Sequence, residues 1–293
     1  MPSPYVRRRR LAAEIRELRE SRGLTTDGLA RLVFHSRTKI TRLENAQIRP
    51  DLAEIMNILD ALDITGSQYD RLLKLAREAA QKGWWDRYGM SMGPRQKLAA
   101  DLEYNASTVR SYDQTAMPGA LQCRPFIEAL IKLDENQGTL EYQPERMTEA
   151  REHRQRELLR ADGPFYETVL DECLIHRLAV PPEAMSAQLR YMIKLGSEVD
   201  RITIRVLLHD ARIPGGFLPK SSFYLYTFAE SGDPPMAIVD TVTTDLVVTQ
   251  RGEVVRYTER YDRLREAALS AEDSISFLDR VANRLADQTG SVT

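Results

Sequence analysis

The first 80 residues alternate short amphipathic segments with tight breaks, a pattern that predicts a compact helical domain. From Leu11 onward, apolar residues recur three or four positions apart until Gly23 ends the first segment. Ser36 stands at an N-cap position ahead of a third segment, and Pro50 opens a fourth. With one more amphipathic segment after it, this region is predicted to hold five helices.

After a break rich in glycine and aromatic residues at 81–94, helical segments mix with β-branched and aromatic runs. The runs predict strands over residues 165–172, 202–208, 223–229 and 236–242. Helical periodicity predicts helices near 95–110, 124–133, 144–160, 183–197, 253–269 and 272–287. We therefore predict an α+β protein with a five-helix domain at 1–80, a linker at 81–94 and a larger mixed α/β domain at 95–293.

The composition is that of a globular protein, since 42% of the residues are hydrophobic and 29% are charged. No apolar run approaches the roughly 18 residues that a membrane helix needs, and no segment resembles a signal peptide. Two cysteines cannot form a disulfide framework. We expect a cytoplasmic protein that does not enter a membrane.

The charge is unevenly distributed along the chain. Residues 1–50 hold 12 Lys+Arg against 5 Asp+Glu, a net charge of +7, whereas residues 51–293 carry a net charge of −9. A basic head on an acidic body is expected when one end binds a polyanion such as DNA. A basic region that only aids solubility would give the same count, so charge alone leaves both interpretations open.

The second and third predicted helices have the side chains that reading of the DNA major groove requires. An arginine near the start of the reading helix can pair with guanine, and threonine or asparagine can bond base edges or phosphates. The candidate contacts with double-stranded DNA are Thr26, Ser36, Arg37, Thr38, Lys39, Thr41, Arg42 and Asn45. The basic run Arg7, Arg8, Arg9 and Arg10 is expected to follow the DNA backbone or to enter the minor groove.

The segment LTTDGLARLVFHSRTKITRLENAQIRP resembles the Xre type of helix-turn-helix. Later segments, among them GWWDRY, VLDECLIHRLAV and MSAQLRYMIKLG, resemble the antitoxin-like second domain of WhiJ-like actinobacterial regulators. The resemblance covers nearly the whole chain. It implies a transcription regulator of development or of secondary metabolism such as antibiotic production, with a small BldB-like protein as partner.

The chain departs from the Xre pattern in two places. Phe34 and His35 replace a glycine-containing turn, and Ala46 stands where a glycine often ends the reading helix. A residue other than glycine in the left-handed conformation costs about 1 kcal/mol or more. We therefore expect the turn between the two helices to be reshaped.

Candidate catalytic and metal-binding groups are few. Cys173 and His176 lie three residues apart, but a zinc site needs three or four converging ligands. Ser91, in a GMSMG string, would need a lysine base to act as a nucleophile, and its surroundings are predicted to be linker and helix. We predict no enzyme activity, no cofactor and no metal.

Aromatic side chains in the predicted strands leave three roles open in the second domain. They would fit a packed core, a pocket for a small molecule, or a surface that binds a protein partner. These residues are Phe165, Tyr166, Phe223, Tyr224, Tyr226 and Phe228. The alternative to a protein-controlled regulator is therefore a one-component transcription factor that senses a small molecule.

A homodimer is expected because one reading helix covers too few base pairs for useful selectivity. The last predicted helix offers an apolar stripe formed by Ile275, Leu278, Val281 and Leu285. The same stripe would also fit packing inside its own domain. The adjacent Trp84 and Trp85 are expected to pack between the two domains.

Overall fold

The computed structural model describes residues 3–241 and 245–290, which form two compact units. The first unit comprises Met1–Arg87, Lys97–Asn105 and Glu230–Asp233, and the second comprises Tyr88–Gln96, Ala106–Ala229 and Pro234–Thr293. The first unit therefore includes residues 97–105 and 230–233, which come from later in the chain. The predicted domain boundaries, at residues 80 and 95, do not include these segments.

Five helices that the sequence predicts make up most of the first unit. They are α1 (Pro4–Ser21), α2 (Thr26–Leu32), α3 (Arg37–Glu44), α4 (Leu52–Ala61) and α5 (Gly66–Ala79). Their apolar faces share one core, in which Ile15, Leu29 and Ile58 are fully buried. Side-chain oxygens cap the first four helices by accepting backbone N–H bonds, at Ser3, Thr25, Ser36 and Asp51.

The first four helices end in the same left-handed turn. The residue after each C-cap has a positive φ: 66° at Gly23, 55° at Phe34, 57° at Ala46 and 50° at Asp63. After α2, for example, the His35 N–H donates to the Ala30 carbonyl at 2.9 Å, which is the long bond of a Schellman motif. The expected reshaping of the turn is therefore wrong: Phe34 adopts the conformation that glycine usually supplies.

A six-stranded sheet organises the second unit. Its strands are β1 (Thr108–Asp113), β2 (Phe165–Asp171), β3 (Ile202–Leu207), β4 (Phe223–Thr227), β5 (Met236–Val239) and β6 (Leu246–Val248). The order across the sheet is β3-β2-β1-β4-β5-β6. The first three strands run parallel, and β4, β5 and β6 pair antiparallel with their neighbours.

The remaining helices flank these strands in the chain. They are α6 (Pro94–Asn105), α7 (Arg124–Gln137), α8 (Pro144–Leu158), α9 (Glu172–His176), α10 (Pro182–Glu198), α11 (Arg251–Ala267) and α12 (Ala271–Gly290). None of the helices within 3–241 and 245–290 is long and apolar enough to cross a membrane.

The predicted helix over 95–110 is wrong in its last five residues. Helix α6 ends at Asn105, and the chain becomes the central strand β1, which pairs with β2 on one side and β4 on the other. Hydrogen bonding on both edges outweighs the local preference for helix. The sequence pattern also does not predict the short elements β6 and α9. The last residue of the predicted strand 236–242, Val242, lies outside the described residues.

The six aromatic residues do not line one pocket. Tyr166 and Tyr226 are buried, whereas the Phe165 side chain is 63% exposed. Because neighbouring residues on a strand face opposite sides, Phe223 lies on the other face from Tyr224 and packs against Tyr112 with ring centroids 6.1 Å apart. Most of these rings therefore serve the packing of the sheet.

The apolar stripe of the last predicted helix lies within the second unit. In α12, Leu278, Val281 and Leu285 are buried, and the Ser186 hydroxyl of α10 donates to the Ala282 carbonyl at 3.0 Å. Ile275, the fourth residue of the stripe, is half-buried, so the stripe is largely covered by its own unit.

A fully buried carboxylate lies at the end of β1. Asp113 accepts hydrogen bonds from the Ser111 hydroxyl at 2.5 Å, the Thr168 hydroxyl at 2.9 Å and the Tyr224 hydroxyl at 2.7 Å. Despite these donors, burial raises the pKa of Asp113 from its ordinary value of 3.8 to about 7. The folded protein therefore binds a proton at this position under conditions in which the unfolded chain has lost it.

This shift predicts that the second unit becomes less stable as the pH rises from 5 to 8. Since the folded pKa is the higher one, stability is greatest at low pH and falls by up to about 1.4 kcal/mol per pH unit until Asp113 has ionised. Asp113→Asn should flatten this slope, measured as the urea unfolding midpoint by circular dichroism. Asp262→Asn, which removes an exposed carboxylate of α11, should leave it unchanged. Parallel slopes for Asp113→Asn and wild type would contradict the prediction.

Candidate nucleic-acid interface

Helix α3 exposes a continuous polar face. Ile40 and Leu43 point into the core, and the exposed residues are Ser36, Arg37, Thr38, Thr41, Arg42 and Asn45. The Ser36 hydroxyl accepts the Lys39 N–H at 3.2 Å and so fixes the start of the helix. The structure thus brings together on one surface half of the residues that the sequence predicts as DNA contacts.

The candidate contacts differ in how firmly they are held. The Arg37 side chain is 71% exposed, and its Nη1 lies 3.7 Å from Asp27 Oδ2. Such a surface ion pair is weak, so Arg37 can leave Asp27 and bind a phosphate or a base instead. Lys39 is paired with Glu54 of α4. Asn45 Oδ1 accepts from Arg16 Nη2 at 2.8 Å, an arrangement that directs its Nδ2 to act as a donor.

A buried ion pair anchors the end of α3 to α1. Glu44 is 6% exposed; its Oε1 lies 2.6 Å from Arg19 Nε, and its Oε2 lies 3.0 Å from Arg19 Nη2. Arg16 Nη2 also donates to the Glu44 carbonyl at 2.7 Å. Sequence reasoning missed this pair. A signal was present, because Glu44 lies four residues after Ile40 and therefore on the inward face, where a carboxylate needs a cation.

Helix α2 begins at the predicted contact Thr26, one residue after its N-cap. Thr25 is the N-cap, and its hydroxyl accepts the Gly28 N–H at 3.0 Å. Thr26 is the first helical residue and is half-buried. Thr26 as a DNA contact stays a prediction.

The basic run Arg7–Arg10 lies inside α1 and not in an extended arm. Arg7 is 2% exposed, and its guanidinium lies 3.2 Å from Glu78, 2.5 Å from Glu230 and 3.1 Å from Asp233. A side chain buried among three carboxylates is not available to a phosphate, so the structure does not support Arg7 as a DNA contact.

The other arginines of the run are half-buried. Arg8 Nη1 lies 3.5 Å from the Ala79 carbonyl, and Arg10 Nε lies 3.4 Å from Glu14 Oε1. Arg8, Arg9 and Arg10 as DNA contacts stay predictions.

Two tryptophans follow α5 in a 3₁₀ segment, Trp84–Ser91. Trp84 and Trp85 meet edge to face at 5.8 Å, and Trp85 is 5% exposed and packs on Tyr104 at 6.1 Å. A Cβ on Gly83 would lie 2.2 Å from the Trp85 ring, so only glycine fits beside it. Both tryptophans belong to the first unit, and their expected role between domains stays a prediction.

The second unit shows no activated nucleophile at the cysteine considered above. A hydrogen bond to Asp171 raises the pKa of the exposed Cys173 thiol, whereas a nucleophilic cysteine needs a lowered pKa. Within the described part of the chain, no group of three or more histidine, cysteine or acidic side chains is placed to hold a metal ion.

An open cavity of about 410 Å³ lies after the carboxyl ends of β2 and β3 in the second unit. Its polar lining centres on Glu172, whose Oε2 accepts His209 Nδ1 at 2.7 Å and the His209 N–H at 2.8 Å. This hydrogen bond raises the pKa of His209. Phe277 and Arg280 line the same cavity, with the guanidinium 5.9 Å from the ring centroid.

Comparisons with known families divide the chain in a similar way. A family model described as "Helix-turn-helix domain" matches residues 10–72, which include all of α2 and α3. A model described as "Domain of unknown function (DUF5753)" matches residues 96–280, more than half of the chain. No curated protein and no solved structure matches the chain. The prediction of a helix-turn-helix DNA-binding domain is confirmed, and the WhiJ-like resemblance stays a prediction.

Proposed function

We propose that this chain, which belongs to the DUF5753 family, is a sequence-specific transcription regulator and not an enzyme. The family is described as a domain of unknown function, and in this chain a helix-turn-helix domain precedes it. The observation that carries the proposal is the exposed polar face of α3, whose end is held in place by the buried pair of Glu44 and Arg19. A rigid helix with exposed donors is what readout of base edges requires.

In the proposed complex, α3 lies in the major groove with its start toward the bases. Arg37 donates to guanine O6 and N7, Thr38 and Thr41 contact base edges or phosphates, and Asn45 donates through its amide. Lys39 and Arg42 fix the register on the DNA backbone.

Arg37→Ala tests this arrangement. On a duplex selected from a random-sequence library by the full-length protein, the variant should lose about 1 to 3 kcal/mol of binding free energy and become tolerant of changes at one base position. Arg9→Ala should weaken selected and scrambled duplexes alike, since it would act on phosphates only. Arg22→Ala, at the exposed end of α1, is the control. Fluorescence anisotropy gives the affinities, and an equal loss for Arg37→Ala on both duplexes would contradict the assignment.

We propose that the second unit controls DNA binding through a small BldB-like protein, in a regulator of development or secondary metabolism. The WhiJ-like resemblance supports this proposal, and so does the charge: a net charge of −9 beyond residue 50 repels DNA and favours a protein partner over a longer DNA footprint. If partner and DNA are coupled, each must change the affinity of the other by the same factor.

The second candidate is a one-component regulator that senses a small molecule. The cavity beside Glu172 and His209 favours it, because ligands of α/β domains commonly bind beyond the carboxyl ends of parallel strands. Arg280 offers such a ligand a cation, and Phe277 offers an apolar surface.

Native mass spectrometry of the protein purified from its own host separates these candidates. A co-purifying polypeptide supports the protein-controlled regulator, and a bound small molecule lost in Arg280→Ala supports the sensor. The same spectrum tests the proposed homodimer, since a chain that stays monomeric on its selected duplex would rule it out.

A further inference from the structure

Phe34 occupies an unusual position in the turn between α2 and α3. Its side chain is 95% exposed, and its φ is 55°. Water therefore surrounds almost all of an aromatic ring that is attached to a backbone conformation disfavoured for every residue with a Cβ. Both features oppose stability, and the exposed ring gains no packing in return.

The other left-handed residues of this unit differ from Phe34 in what their side chains do. Ala46 is 9% exposed, so its methyl group is covered by the fold. Asp63 is exposed, but aspartate tolerates the left-handed region, and its carboxylate is well solvated by water. Phe34 alone among the three combines the strained conformation with a large apolar side chain in solvent.

The position of Phe34 indicates which kind of molecule contacts its ring. It lies three residues before Arg37, at the edge from which α3 would enter the major groove, and two exposed arginines, Arg31 and Arg37, lie on either side of it in the chain. Leu32 is also 51% exposed. Apolar groups between cations fit the surface of DNA, where deoxyribose and thymine methyl groups lie between phosphates.

We propose that Phe34 is a DNA contact, with its ring packed on deoxyribose and base methyl groups at the rim of the major groove while Arg37 reads the adjacent bases. The inference rests on the proposed function and extends it, because it adds an apolar anchor to an interface otherwise made of polar groups. Three exposed arginines close to Phe34 in the chain, Arg31, Arg37 and Arg42, complement the negative charge of DNA.

The test compares Phe34→Gly, Phe34→Leu and Asp63→Gly in the full-length protein. Asp63→Gly is the matched control, because it relieves the same backbone conformation at the end of α4, away from α3. Phe34→Gly should raise the melting temperature by a few degrees, and Asp63→Gly should raise it less, because aspartate tolerates the left-handed conformation. Only Phe34→Gly should weaken binding to the selected duplex, by roughly 5- to 30-fold, the range expected from loss of a partly buried aromatic contact. Phe34→Leu should retain part of the affinity.

The outcomes separate this inference from the proposed function. If the wild type selects no duplex from the random library, the proposed function fails and the inference with it. If the wild type binds and Phe34→Gly binds equally well, the inference alone is overturned. A loss of self-association in sedimentation, with DNA affinity unchanged, would instead assign Phe34 to an interface between two copies and would also overturn the inference.

Discussion

Replacing Arg19 by methionine should lower the free energy of unfolding of the first unit by about 3 to 5 kcal/mol. The variant removes the guanidinium whose Nε lies 2.6 Å from Glu44 Oε1, and the buried carboxylate keeps the more distant Arg16, whose Nε lies 3.9 Å from Oε2. Trp84 and Trp85 are the two tryptophans of the chain and both lie in the first unit, so tryptophan fluorescence during urea unfolding follows this unit.

A second substitution separates folding from positioning. Arg19→Met combined with Glu44→Met replaces the buried pair by apolar side chains of similar volume, and such exchanges are often neutral for stability. We expect the double variant to regain most of the lost stability while its affinity for the selected duplex stays reduced. The reason is that the pair, with Arg16, fixes the end of the reading helix and Asn45.

Arg22→Met is the matched control for this pair. Arg22 is exposed at the end of the same helix, and its substitution should change stability by less than about 0.5 kcal/mol. If Arg19→Met were no more damaging than Arg22→Met, the buried pair would not hold α3. If the double variant bound DNA with wild-type affinity, Arg19 would be a stability residue only.

The helices of the first unit were accessible from sequence because their signals are local. Apolar spacing of three and four residues and N-caps such as Ser36 are contained within one turn or two of chain. The exposed face of α3 follows from the same pattern, since the residues outside the Ile40 and Leu43 stripe must face solvent. Reading this face required no knowledge of the rest of the fold.

The sheet shows where local signals end. The segment that forms β1 follows α6 closely and carries Ser111 and Asp113, polar residues that obscure the alternation of a strand. Its strand state depends on β2 and β4, which lie far along the chain. Asp113 is buried because Thr168 and Tyr224 supply hydroxyl donors from those neighbours.

The basic run Arg7–Arg10 shows that local sequence patterns also fail to predict contacts between distant segments at the candidate site. From sequence, Arg7 is one of four adjacent arginines and is expected to meet a polyanion. Its actual partners are carboxylates, Glu78 from α5 and Glu230 and Asp233 from the segment between β4 and β5. No local pattern connects residues separated by more than 200 positions, so the burial of Arg7 required the fold.

Arg7→Met should therefore act on stability and not directly on DNA. The variant removes the guanidinium between Glu78, whose side chain is 19% exposed, and Asp233, which is 3% exposed and keeps the more distant Arg10 at 3.5 Å. Breaking such a buried arrangement by removing one partner costs about 3 to 5 kcal/mol. Tryptophan fluorescence in urea should show this loss for Arg7→Met, while Arg22→Met, at an exposed position just after α1, should stay close to wild type.

The loss of unfolding free energy in Arg7→Met should depend on pH, and this dependence identifies its physical cause. Burial already raises the pKa of Asp233 in the wild type, and loss of the cation should raise it further. Since the folded pKa then lies above the unfolded one, protonation at low pH favours the folded variant, and the gap to wild type should narrow as the pH falls from 8 to 5. A deficit that is constant over this range would point to lost packing of the arginine stem. A variant with wild-type stability and uniformly weaker binding to all duplexes would return Arg7 to the DNA interface.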